Sequence, residues 1–343
     1  MPKAAKPSGT RHGAAQADHP LVRWTLIALA VGVVGVLIIV PIVNVFAQAL
    51  SAGWRTYWDS LVADRYTQHS IMLTLIVAPF AVATNVVFGV AAAWAIARFR
   101  FPGRTLLTTL IDLPFSVSPV VAGLSLVLIF GQRGYCGPWL RDHGIQVIFA
   151  LPGLILATTF VTLPFVAREL IPVMEAIGAE EEIAAVSLGA SGWQTFWYIT
   201  VPNIKWGLLY GVVLCNARAM GEFGAVYVVS GHLAGVTETM PLRVEKLFEQ
   251  YNTPGSFALA SLLTLLALVT LAAKVALERK TRAQLREAAA AVSGGNDESP
   301  ADAPPEKSGT PVAHDERPTI VYASRHGKAP HFVTARTSVG ADI

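Results

Sequence analysis

Arg218 and Glu222 are the residues of this 343-residue chain whose types and spacing first demand a chemical explanation. They lie four apart in Asn216-Ala217-Arg218-Ala219-Met220-Gly221-Glu222-Phe223-Gly224, inside an apolar run at about 204–229, so a helix stacks them on one face. At the centre of a bilayer an isolated charge costs about 2.5–3.5 kcal/mol on insertion scales, which turns both side chains toward a bundle interior and toward each other. Two roles fit: the border or gate of a path taken by an anion, or a buried ion pair that fixes bundle geometry. A second pattern is Asp112-Leu113-Pro114-Phe115-Ser116-Val117-Ser118-Pro119. Its prolines remove helix donors and clash with the preceding turn, so a broken or kinked helix is expected. Broken helices at membrane depth line water-filled cavities or are satisfied by neighbours. Pro114, Ser116, Ser118 and Pro119 therefore either wall a translocation path or form a structural kink that the two serines stabilise. Other chemistry is missing from the sequence. No Gly-x-x-x-x-Gly-Lys-Ser/Thr phosphate loop occurs, so energy from ATP must enter through a partner. Cys215 falls mid-run and Cys136 in a link, which argues against a bridge, and neither looks like a ligand; no metal or cofactor is expected.

The elements that must position these residues are membrane helices. With 53% hydrophobic and only 14% charged residues, the chain is too apolar to wet the surface of a soluble protein. A hydrocarbon core of about 30 Å needs roughly 20 helical residues. Runs long enough occur at about 24–49, 70–97, 105–131, 147–171, 204–229 and 256–277. The expectation is an all-α membrane protein of six transmembrane helices. Lys3, Lys6, Arg11, Arg23, then Arg98, Arg100, Arg104, then Lys274, Arg279, Lys280, Arg282 and Arg286 load alternate links and both termini with positive charge, which predicts N-in and C-in. The +3 net charge mostly reflects these residues and does not argue for nucleic acid. Ala47-Gln48-Ala49 resembles a cleavage site, but the preceding stretch exceeds a signal-peptide core and reads as a retained first span. The expected divisions are an arm at 1–23, a first span at 24–49, a core at 66–277 and a tail at 287–343. That tail, rich in Ala, Gly, Pro, Ser, Asp and Glu, cannot offset its chain entropy and is expected to be disordered.

One polar island separates two of the apolar runs: Glu180-Glu181-Glu182-Ile183-Ala184-Ala185-Val186-Ser187-Leu188-Gly189, continuing to Pro202. Carboxylates in a first turn meet the positive end of a helix dipole, and Gly189 can close that helix in a left-handed cap. Ser191 with Gln194 fits a capping box that starts a second short helix carrying Trp193, Phe196, Trp197 and Tyr198. Two short helices rimmed by aromatics are expected at the membrane surface. This island, within 175–202, resembles the EAA loop of ABC importer permeases, carried here by Ala184, Ala185, Gly189, Ile199, Val201 and Pro202. It departs twice, since Ile183 stands where the motif's glutamate falls, with Glu182 one place earlier, and Val201 replaces a leucine. Ala217 to Ala225, Val229-Ser230-Gly231-His232 and Thr239 to Glu245 are similar to the sulfate/thiosulfate permease subunits of the W type, and the likeness runs from about Ile71 to Lys274.

The resemblance implies a type I ABC importer permease (MetI-like) fold in a bacterial cytoplasmic (inner) membrane, in contact with lipid. It implies that the loop, with Glu181 and Glu182 beside the motif residues, couples to two ATP-binding subunits. A second permease subunit and an extracytoplasmic sulfate-binding protein are implied as well. The mechanism expected is alternating access. Three alternatives carry other signals. The Ala217 to Ala225 core is shared with molybdate/tungstate permeases, and an ion-coupled secondary carrier would need no loop of this kind. Gly189-Ala190-Ser191-Gly192 matches the G-x-S-G of rhomboid-type proteases, but no run offers a histidine to activate Ser191: His69 precedes the second, and His143 and His232 fall in or near links.

Overall fold

The computed structural model describes the backbone of residues 20–294 and the side chains of residues 21–278. Residues 1–19 of the expected arm and 295–343 of the expected tail lie outside the described residues. Among the described residues every regular element is a helix. Helix α1 (Pro20–Ser51) carries no buried residue across its most apolar stretch, so none of the described residues covers it there. After Gly53, α2 (Trp54–Val62) gathers Trp54, Tyr57 and Trp58 into mutual ring contacts at 5.6–5.8 Å. Asp64 then caps α3 (Arg65–Arg98), accepting from the Tyr66 amide at 3.1 Å.

The proline-rich stretch forms two helices. Helix α4 (Arg104–Ser116) keeps Pro114 in its last turn, Val117 is extended, and Pro119 starts α5 (Pro119–Phe130) at a bend of 109°. Proline at the first helical position loses no bond that an interior amide would make, so the chain restarts there. Short α6 (Gly137–Asp142) leads to α7 (Leu151–Ile177). Next come α8 (Glu180–Ser187), α9 (Gly192–Thr195), a π-helical segment (Phe196–Thr200) and α10 (Val201–Met220). Helix α11 (Gly224–Ser230) follows a break of three residues, with a bend of 53° relative to α10. Helix α12 (Met240–Glu249) precedes α13 (Thr253–Gly294). Residues 287–294, placed in the tail by composition, are thus helical.

Four helices, α1, α3, α7 and α13, are long and apolar enough to cross a membrane, and each bent pair brings the number to six if counted as one span. Helices α3 and α7 form the central pair, and α10 packs across both. Their closeness depends on Gly89, where a Cβ would stand 2.8 Å from the Val166 side chain. Ala78, Ala93, Val166, Leu170, Met174, Ile204 and Cys215 fill the seam. Asn85 is fully buried there and donates to Thr162 Oγ1 at 2.8 Å and to the Thr159 carbonyl at 3.2 Å, which ties α3 to α7 with polar bonds inside an apolar core.

Candidate functional site

The island after α7 folds as its local signals dictate. Gly189 has φ +95°, the Gly189 amide donates to Val186 O at 3.0 Å and the Ala190 amide to Ala185 O at 3.0 Å. These two bonds satisfy the last carbonyls of α8 in a Schellman turn, and the positive φ is one that a residue with a Cβ adopts at a cost. Ser191 and Gln194 form the reciprocal capping box. The second helix then differs from the expectation. Helix α9 is a single turn, and the chain continues through the π segment into α10 without stopping, so only α8 is a separate short helix. Inserting a residue into the ladder widens the turn, a feature common at functional sites.

Two of the three acidic residues at the start of α8, Glu181 and Glu182, bond to the rest of the protein, while Glu180 is exposed. Arg98, at the end of α3, donates from Nε to Glu182 Oε2 at 2.9 Å and from Nη2 to Glu182 Oε1 at 3.1 Å, while its Nη1 donates to the Met174 carbonyl at 2.8 Å. Thr200, buried at the end of the π segment, donates to Glu182 Oε1 at 2.9 Å. Glu181 accepts from Asn203 Nδ2 at 2.6 Å. The outward surface includes an apolar strip beside exposed Glu180, Glu181 and Ser187. No residue of α8 is buried, Ile183, Val186 and Leu188 are exposed, and Leu188 at 90% is almost wholly so. Trp193, Trp197 and Tyr198 are exposed in the adjoining turns. Ala184 and Pro202 are also exposed, with Ala185 and Ile199 half-buried.

The two helix breaks are brought together elsewhere in the bundle. A Cβ on Gly224, the first residue of α11, would stand 3.0 Å from Pro119 Cβ, and one on Gly123 would meet Ala225 O at 2.7 Å. Arg218 Nη1 lies 2.7 Å from Glu222 Oε2 in ion-pair contact, though off the hydrogen-bonding angle. Glu222 is buried whereas the Arg218 side chain is 36% exposed. The other Glu222 oxygen accepts the Ala225 amide at 3.1 Å, so this carboxylate also holds the start of α11. Glu222 itself sits in the break just past α10 and not on a continuous helix. Of the proline stretch, Pro114 is buried, while Ser116 and Ser118 are exposed, and Ser118 makes no side-chain cap. The proposed bracing of the kink by Ser118 is therefore replaced by the rigid φ of Pro119.

Sequence reasoning missed several charged partners. Arg98 carries no local sign of its link to Glu182, 84 residues away. Asp112 faces Arg168 at 3.4 Å, and Arg168 lies over the Phe115 ring at 5.2 Å. At the far end of α3, Arg243 donates to Asp64 Oδ2 at 2.6 Å and stands 3.5 Å from Glu238, which Lys246 meets at 3.1 Å. Burial pushes the Asp64 carboxyl up, but hydrogen bonds from Thr67, Arg243 and the Tyr66 amide, with the Arg243 charge, outweigh it and hold the group below its ordinary value. Burial, then the neighbouring Glu249, push Glu245 up, against a smaller pull from His232. The described residues contain no grouping of His, Cys, Asp and Glu able to hold a metal ion.

The family described as "Binding-protein-dependent transport system inner membrane component" matches residues 85–283. "Sulfate transport system permease protein CysW" of Escherichia coli (strain K12) is 51% identical over 266 residues, covering 78% of this chain and 91% of that protein. The protein of the same name from Synechococcus elongatus is 53% identical over 266 residues, covering 78% and 93%. Among solved structures, a chain of a bacterial ABC transporter involved in the import of the acidic polysaccharide alginate superposes with a TM-score of 0.60 at 16% identity, covering 77% of this chain and 99% of that one, which is a likeness of fold. Matched over more than half its length and at this identity, the chain belongs to the family of binding-protein-dependent transport system inner membrane components.

Proposed function

We propose that this chain is a permease subunit of an ATP-driven importer for sulfate or thiosulfate, working by alternating access in a bacterial inner membrane. The observation that carries the substrate is the 51–53% identity to sulfate permeases over nine-tenths of their length. In this reading the protein makes and breaks no bonds. Two ATP-binding subunits hydrolyse ATP, a second permease subunit completes the path, and an extracytoplasmic binding protein delivers the oxyanion. The six helical units each span the membrane, both termini lie in the cytoplasm, and α8 projects there with Ala184, Ala185 and Gly189 at the surface an ATPase subunit grips. Ile199 and Pro202 carry the connection up into α10.

The adjoining breaks supply the moving part. Arg218 presents a partly exposed cation beside the joints at 117–118 and 221–223, and a cation there attracts a dianion that lipid-facing helices would repel. Pro114, Ser116, Ser118 and Pro119 shape the opposite wall. Uptake of labelled sulfate, thiosulfate and molybdate by a deletion strain expressing the whole complex tests the reading. Sulfate uptake that unlabelled thiosulfate competes is the expected result. Restoration of molybdate uptake alone would overturn the substrate.

A further inference from the structure

Three elements meet at one carboxylate, one of them distant in sequence, and a fourth joins through the arginine. Glu182 of α8 receives two bonds from Arg98 of α3 and one from Thr200 of the π segment, and Arg98 uses its remaining arm on the Met174 carbonyl of α7. The Arg98 and Glu182 side chains are only 10% and 16% exposed, so water competes weakly for these bonds. The fork of a guanidinium against a carboxylate fixes direction as well as distance, which a single ionic contact does not. Nearby, Phe196 of the π segment packs on Trp94 of α3 at 5.8 Å, giving the same two elements a second, apolar attachment. By contrast, α8 buries no residue of its own. Its hold on the bundle is polar, through Glu182 and, at a more exposed position, through Glu181 and Asn203.

We propose that Arg98, Glu182 and Thr200 are positioning residues that latch α8 to the ends of α3 and α7 and to the foot of α10, so that a push on α8 displaces the bundle instead of bending the loop. This inference rests on the reading of α8 as the surface an ATPase subunit grips. It also assigns Glu182 a task different from an outward contact: both its oxygens are committed inside the protein, and outward contacts fall to other residues, Ile183, Val186 and Leu188 among them. A latch of this kind transmits free energy between two sites without touching ligand at either.

The test uses the full complex in proteoliposomes with three variants of this chain. Arg98→Ala removes the fork. The pair Arg98→Met with Glu182→Leu removes it without leaving a buried charge unpaired, which protects against a fold that simply fails. Thr200→Val cuts only the tie to the π segment. Three quantities are read: ATPase subunit retained on purification, ATP hydrolysed, and sulfate imported per ATP. The expected result is normal retention of the ATPase subunit in all three, with sulfate per ATP reduced roughly fivefold or more in the first two and less in the third. Wild-type sulfate per ATP in the Met/Leu pair overturns the latch, as does loss of insertion by both Arg98 variants, which would make the cluster a folding brace. Failure of the underlying reading looks different: variants of exposed Leu188 and Ile183 would then leave retention of the ATPase subunit untouched.

Discussion

Glu222 serves two partners at once, and that decides how its neighbourhood responds to change. One oxygen faces Arg218 at 2.7 Å and the other accepts the Ala225 amide. Arg218→Ala leaves a buried carboxylate without its cation. The cost is roughly 3–5 kcal/mol for a fully buried pair and less here, because the Arg218 side chain is about one third exposed. Glu222→Gln keeps an acceptor for the Ala225 amide and removes the charge. Membrane protein level is therefore expected to fall in Arg218→Ala and to recover when Glu222→Gln is added, while sulfate uptake stays lost if Arg218 attracts the anion. Immunoblotting beside uptake separates the two, and wild-type uptake by Arg218→Ala contradicts both. At Gly189 the argument is conformational: a left-handed φ costs a β-branched residue about 1–2 kcal/mol, and here it closes α8. Gly189→Val is expected to insert normally yet reduce retention of the ATPase subunit and sulfate uptake, as read by co-purification and transport. Normal values of both would detach the turn from function.

At the scale of elements, what was legible in the sequence was what is local. The turn at Gly189 and the capping box at Ser191 and Gln194 are set within a few residues, and the structure contains both. The proline break was legible for the same reason. The break at 221–223 is hidden because the apolar run and the four-residue spacing of Arg218 and Glu222 both fit an unbroken helix, and nothing nearby reveals that Pro119 packs against Gly224. The inward turn of Glu182 was equally hidden, since its direction is set by Arg98 across 84 residues. The tie between α12 and the start of α3 was hidden likewise, and it carries a pH dependence. The Asp64 carboxyl is held below its ordinary value near 3.8, so its stabilising contribution is present above that pH and lost as pH falls through the folded-state value. Asp64 is about one third exposed, which keeps the effect to about 1 kcal/mol or less. In detergent, Asp64→Asn is expected to lower Tm at pH 7 and to flatten the fall in Tm between pH 7 and pH 3. An unchanged slope would remove Asp64 from the account.

For the whole molecule, the proposed function rests on the same separation of local and distant. The α3, α7 and α10 core holds the bundle, the helices bend at two breaks, and Ile183 and Val186 of α8 are left exposed by the described residues. Helix α1 likewise buries nothing against the described residues along its most apolar stretch. In the proposed function, a subunit built this way converts motion supplied by others. The most direct measurement is accumulation of labelled sulfate in proteoliposomes holding this chain, the second permease, the ATPase subunits and the binding protein, with and without internal supply of ATP at the α8 side. Accumulation that requires ATP and the ATPase subunits, and that a proton gradient cannot replace, is the result predicted. Accumulation driven by a proton gradient in vesicles lacking the ATPase subunits would contradict it.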